Sequence, residues 1–384
     1  MGRAPVATLP HEHPFPEPLL LHTPDSPLLF GPAGIDPGWR AFDSRRGPMA
    51  LSQQAVDARV DCTVRVARDA DGTLADVVCE SLHETVFVDR DITLVAPEGA
   101  TLDGTSAELS EYGSVGIQIA SEAQAGPVEP VIRGFTVEGY YQGILAGQDS
   151  ESASTGDWVL RNVTVRDSAA QGIDTADATG DWTIVETEVH NTTHEGIDAD
   201  GAIGAWEIRE TTVTRTGREG IRTINANSRW TIRNVTVRDT DDWGIDAGFT
   251  ASNWVVRDAT LVNNSAGGIS ARETDGDWLV TDSTIRNNGG DGINLQPYNT
   301  GVAAMTGNWS VHESRITGNN ASGIDARTVA TTGNAPHNWW GASSGPSGRF
   351  GGTGEEVLGN VTITPFYTDS AMTTVSAMTM PSVN

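Results

Sequence analysis

The chain has no lysine. All 24 basic residues are arginine, set against 51 Asp and Glu, for a formal net charge of −27. Schiff-base chemistry on a lysine is thereby excluded. A surface this acidic repels nucleic acid and anionic membranes. The acids are spread along the whole sequence, as expected where high salt screens the self-repulsion. A lone carboxylate is therefore a weak marker of a site. Cysteine is nearly absent as well, with only Cys62 and Cys79, so no cysteine-based zinc cluster can form. They bracket two alternating runs around Asp69-Ala70-Asp71-Gly72, where a hairpin would set them opposite each other. A disulfide, which would point to an oxidising compartment, and two buried thiols both suit that geometry. No apolar run reaches the roughly 18 residues of a membrane span. No clear signal peptide opens the chain, and neither an HExxH nor a phosphate-binding glycine loop occurs.

Proline, glycine and tryptophan organise what is present. Residues 1–50 hold ten of the 18 prolines and read as an irregular leader. Residues 369–384 read as a loose tail. Between them, over 51–368, the chain is repetitive. Gly-Ile pairs begin at Gly116, Gly143, Gly172, Gly196, Gly220, Gly244, Gly268, Gly292 and Gly323, and five consecutive spacings are 24 residues. A Trp follows in step at Trp158, Trp182, Trp206, Trp230, Trp254, Trp278 and Trp309. A fixed period in this range means stacked structural units.

Within each unit the apolar residues alternate with period two, which specifies strands. One unit of short strands cannot bury its own face. Stacked coil on coil about 4.8 Å apart, each strand pairs in parallel with its copy. The inward Ile, Val and Trp then form continuous ladders, and the Trp column is core packing. The expected fold is all-β, a single-stranded parallel β-helix of about 24-residue coils. A short helix over Leu51–Arg59 is expected to cover one end of the stack, with Trp339 and Trp340 packing at the other.

The repeated Gly-Ile-Asp, Trp-x-Ile and Thr-Val resemble the right-handed parallel β-helix repeats of the pectate-lyase-like superfamily. The stretch DITLVAPEGATLDG (Asp91 to Gly104) resembles the opening coil of such domains. HNWWGASSGPSG (His337 to Gly348), followed by GNVTITPFY, resembles their closing segment. The resemblance covers roughly residues 58–368 and implies the fold and its right-handedness. It leaves function open, because this fold hosts lyases, hydrolases, epimerases and binding proteins. It also suggests an extracellular or cell-surface location. Sequons at Asn162, Asn191, Asn234, Asn263, Asn308, Asn320 and Asn360 agree weakly with that, since coil corners favour Asn in any case.

Candidate chemistry lies beside the Gly-Ile pairs. Ile points inward, so the next residue faces outward, and this ladder reads Gln118, Leu145, Asp174, Asp198, Arg222, Asp246, Ser270, Asn294, Asp325. Glu195, Glu219 and Trp243 precede the Gly; His194 and Arg218 stand one place earlier. Asp200 and Arg272 lie two beyond the ladder, and Tyr141 is nearby. The simplest reading is that Arg222 relieves repulsion between Asp198 and Asp246, with each ion pair contributing about 0–1 kcal/mol in water. The richer reading places Ca²⁺ among Asp174, Asp198, Asp200 and Asp246, since Ca²⁺ takes oxygen ligands.

The family resemblance implies a polysaccharide lyase acting on a uronate, with Arg222 matching the base by type and placement. On physical grounds Glu195, Glu219 or His194 are easier bases, because arginine stays protonated. Trp243, Arg218, Arg272 and Tyr141 would contact substrate. A hydrolase or epimerase is the next option. The paired Asp, Gly-His-Gly and Arg-Ile-Lys elements of polygalacturonases are absent, as is the Tyr-Gly-Phe-Asp-Pro-His-Asp segment of alginate epimerases. The expectation is thus a protein that binds an acidic polysaccharide on the Gly-Ile face, with Ca²⁺-assisted β-elimination as the reaction if it cleaves. The alternatives are a non-catalytic adhesion rod and an accessory protein like the β-helix components of metal-maturation systems.

Overall fold

Each repeat bends into three short strands, and each strand pairs in parallel with its copies. The computed structural model describes strand segments 19–20, 63–69, 72–78, 81–82 and 86–88, then residues 91–105, 114–119, 128–146, 156–297, 307–327 and 329–376. The Gly-Ile strands, such as Ile197–Asp198, Ile221–Arg222 and Trp243–Asp246, belong to one 13-stranded sheet. A second ladder stacks Trp206–Arg209, Trp230–Arg233, Trp254–Arg257 and Trp278–Thr281 with Trp on Trp. A third stacks Thr212–Thr216, Thr236–Arg238, Thr260–Val262 and Thr284–Arg286. In the first coils the long strands Thr93–Asp103 and Val131–Glu138 serve both of these ladders. The described residues contain no helix. They form the expected parallel β-solenoid of about nine 24-residue coils.

The interior is apolar and in register. Ile173, Ile197, Ile221, Ile245, Ile269 and Ile293 are all buried. Seven indoles from Trp158 to Trp309 form one stack, with centroids 4.7–5.4 Å apart and planes within 14°. The column ends on Gly333, where a Cβ would lie 1.9 Å from Trp309 Cζ2. The Gly of each Gly-Ile pair has an equally local cause. At Gly196 a Cβ would stand 2.3 Å from Val213 Cγ1 and 2.7 Å from the Gly220 carbonyl oxygen. The corner closes onto the Thr-Val sheet only because no side chain is there.

The other corners are left-handed turns. Asn162, Glu186, Glu210, Asn234, Asp258, Asp282 and Glu313 form one column with φ of 50–53°. Asn191 and Asn263 sit in another such column, with φ of 58° and 57°. Asn and Asp tolerate this conformation best, which accounts for the Asn of four of the sequons without reference to a glycan.

At the far end Trp340 is buried, and Trp339 continues the Thr-Val ladder by bridging to Arg315. Hydrogen bonds continue past residue 369. Asp369 accepts the Thr374 backbone N–H at 2.7 Å, and the Ser376 N–H donates to the Phe366 carbonyl at 2.7 Å. Near the start, Thr63–Asp69 and Gly72–Val78 form the expected antiparallel hairpin, with Thr63 opposite Val78. Cys62, Cys79 and the Leu51–Arg59 segment lie outside the described residues. So does the leader, except that Leu19–Leu20 pairs with Val86–Phe87.

Candidate functional site

Asp174, Asp198, Arg222 and Asp246 stand in register on adjacent strands. They take the outer side of the sheet, as alternation requires, yet Asp174, Asp198 and Asp246 are buried. The cause is a repeated turn. Each Oδ1 accepts the backbone N–H two residues on: Ala176 to Asp174 at 3.0 Å, Asp200 to Asp198 at 3.0 Å, and Gly248 to Asp246 at 3.1 Å. Asn294 and Asp325 do the same for Gln296 and Arg327. These ladder carboxylates are first of all turn builders, since Asp and Asn side chains fold back onto the backbone just beyond them.

The remaining oxygens are also engaged. Gln142 Nε2 donates to Asp174 Oδ2 at 2.7 Å. Arg222 reaches Asp198 Oδ2 at 3.4 Å and Asp200 Oδ2 at 2.7 Å. Arg272 donates to Asp246 Oδ2 at 3.2 Å and to Ser270 Oγ at 2.8 Å. Calcium needs roughly 6–8 converging oxygens. Among the described residues no group of three or more His, Cys, Asp or Glu is placed to hold a metal ion, and the Arg222 guanidinium already pairs with Asp198 and Asp200. The residues present do not fit Ca²⁺. Burial raises the Asp174 carboxyl to about 7; the Ala176 N–H opposes this, while Asp198 and Glu195 add to it. Asp198 is raised to about 6 by burial, which Arg222 partly offsets.

The accessible chemistry lies three residues back, where Glu195, Glu219, Trp243 and Gly267 precede the closing Gly of successive coils. Glu195 is buried; its Oε1 accepts from Arg218 Nη1 at 3.2 Å, and its Oε2 has no partner. Glu219 is half-buried. Its carboxyl is raised to about 7, first by burial and then by Asp242, Asp246 and Glu195, against a backbone hydrogen bond. Half-buried Asp242 is raised too, by burial and by Asp246, with the Trp243 backbone N–H, Arg272 and Arg218 opposing. Trp243 is half-exposed and lies over the neighbouring coil. It pairs with Gly267, where a Cβ would be 2.1 Å from the ring. The Arg272 guanidinium sits 5.8 Å from the Trp243 ring centroid.

The structure therefore gathers Arg218, Glu219, Arg222, Trp243 and Arg272 from the expected set, and adds Asp242. His194 is half-buried, and its carbonyl accepts the Thr192 hydroxyl at 3.0 Å. Tyr141 belongs to a coil about 19 Å away along the stack, four steps of about 4.8 Å, and is not part of the cluster. Asp242 did carry a signal. Aligned by repeat, its position reads His194, Arg218, Asp242, Ala266, Gly290, and it is the sole carboxylate there.

These ladders define a right-handed parallel β-helix. The family model for a right handed beta helix region matches residues 142–302. The fold is shared with the catalytic unit of the thermostable GH87 α-1,3-glucanase from Streptomyces thermodiastaticus strain HF3-3. That match has 14% identity and a TM-score of 0.53, over 79% of this chain and 64% of that one. The periplasmic alginate epimerase AlgG matches at 11% identity and a TM-score of 0.50, over 70% of this chain and 78% of that one. Pectate lyase Pel9A matches at 14% identity and a TM-score of 0.46, over 62% and 71%. No curated protein matches the sequence. Identities this low establish the fold and nothing finer.

Proposed function

We propose that the protein binds a polysaccharide on the Gly-Ile face and hydrolyses it with Glu219 and Asp242. The observation that carries this reading is their placement: two half-buried carboxyls on adjacent coils, beside a half-exposed Trp243. Burial raises both carboxyls, with Asp242 adding to the rise of Glu219 and Asp246 to that of Asp242, and a raised carboxyl is suited to acid–base work near neutral pH. Protonated Glu219 gives its proton to the glycosidic oxygen as the bond to the anomeric carbon breaks. Asp242 takes a proton from the water that attacks that carbon. Hydrolysis is favoured over β-elimination because the face presents two titratable carboxyls on adjacent coils.

A neutral saccharide suits the face better than the acidic one expected from sequence. Arg218, Arg222 and Arg272 are each engaged by carboxylates of the chain itself, so a uronate would have to compete with them for these cations. The reading places the protein outside the cytoplasm and takes its acidic surface as an adaptation to high salt. The second reading is a non-catalytic rod, favoured by the uniform Trp and Ile ladders. Reducing-end release from α-1,3-glucan, xylan, alginate and pectate separates the two. Wild type should release sugar from at least one, and Glu219→Gln should lose about 10²–10⁴-fold of that activity. No release from any of them sinks the hydrolase and leaves the rod.

A further inference from the structure

Phe249 has no counterpart in the stack. Its corner column reads Asp177, Gly201, Asn225, Phe249 and Glu273, all in left-handed backbone, with φ of 56° at Phe249. Asp, Gly and Asn tolerate that conformation, whereas a bulky aromatic in it is an outlier. Phe249 is also 38% exposed, so it contributes little to the core. Strain of this kind persists where the surroundings over-determine it, most often at ligand sites. Phe249 is six residues on from Trp243 and in the same coil. The two can be no more than about 20 Å apart along the backbone. Between them lies Asp246, which borders Arg222 in the ladder.

We infer that Trp243 and Phe249 are two saccharide platforms six residues apart on one coil, so that the sugar chain crosses the rod rather than running along it. This rests on the function proposed above and specifies how that site holds its substrate. An aromatic face offers a pyranose ring a large apolar surface at small entropic loss, as in other binding surfaces built on rigid aromatics. Both rings meet the structural requirement. Trp243 lies over Gly267, which leaves its ring room to spread across the next coil. Phe249 is exposed at a corner where its repeat partners Asp177, Gly201, Asn225 and Glu273 are polar or glycine.

The test is affinity electrophoresis through gels containing α-1,3-glucan, xylan, alginate or pectate, with oligosaccharides of increasing length as competitors. Trp243→Ala should weaken retention at least tenfold and reduce competition at every length. Phe249→Asn should weaken retention as well, but affect competition only by oligosaccharides long enough to reach across from Trp243. Phe249→Asn should also raise Tm, because Asn relieves the strained φ, so its lost binding cannot be misfolding. If Phe249→Asn is retained like wild type, the crossing arrangement is overturned while the proposed function stands. If wild type is retained by none of the polysaccharides, both are overturned.

Discussion

Arg222 stands next to Asp198 in the stack, and its guanidinium donates to Asp198 Oδ2 at 3.4 Å. A second contact reaches Asp200 Oδ2 at 2.7 Å. At this step of the ladder a cation stands where the neighbouring coils carry Asp, and it supplies the counter-charge of buried Asp198. Removing the cation leaves a buried carboxyl without its counter-charge. Arg222→Ala should therefore drive the Asp198 carboxyl above its value of about 6. The variant should lose about 1–2 kcal/mol at pH 8, given partial exposure of the pair. At pH 5, where the folded state holds Asp198 protonated, the loss should shrink. Thermal melts at both pH values check this; an equal loss at both would remove the electrostatic explanation.

Asp174 has no such cation. Its folded carboxyl titrates near 7, against an ordinary value of about 3.9. Between those values the folded state holds a proton that the unfolded chain releases, so this group's contribution to stability falls as pH rises. The penalty is absent below about pH 4 and complete above about pH 7. Asp174→Asn keeps an oxygen for the Ala176 N–H and removes the charge. It should stabilise the protein by about 1–4 kcal/mol at pH 8 and by almost nothing at pH 4. Denaturant midpoints across that range would reveal it as a flattened pH dependence.

Period and alternation made most of the fold legible. The 24-residue spacing of Gly172 to Gly292 permits only stacked coils, and the Trp column follows from the same register. The site was less legible, because alternation fixes which way a side chain leaves the backbone but not whether anything covers it. Asp174, Asp198 and Asp246 leave on the outer side yet are buried, each closing a turn onto its own backbone. That turn is invisible until the chain bends after the strand. Asp242 and Phe249 show the converse. Each is ordinary alone and conspicuous only against its repeat partners.

The Trp column runs through the apolar core, and Trp230 is buried near its middle, with neighbouring ring centroids at 5.2 and 5.0 Å. Its indole N–H finds no acceptor. Trp230→Ala opens a cavity in a stack that cannot close without breaking register. It should destabilise by about 3–5 kcal/mol. Trp230→Phe retains stacking and removes the unsatisfied donor, so it should cost well under half as much. Guanidinium titration of the three proteins checks the order. A Phe variant as unstable as the Ala variant would mean that the indole's full breadth, rather than stacking as such, holds the coils.

Glu219 ties the proposed reaction to pH. Its carboxyl is raised to about 7 by burial and by neighbouring carboxylates, Asp242 foremost. A general acid works only while protonated, so activity should fall as pH passes above 7. Asp242→Asn removes the neighbour's negative charge, which makes ionising Glu219 easier. The alkaline limb of the pH–rate profile should therefore move to lower pH in Asp242→Asn, and the residual rate should be small because the base is gone. Glu219→Gln should abolish the limb altogether. A limb that stays in place in Asp242→Asn would show that the two carboxyls do not share a field, and Asp242 would lose its role as partner to Glu219.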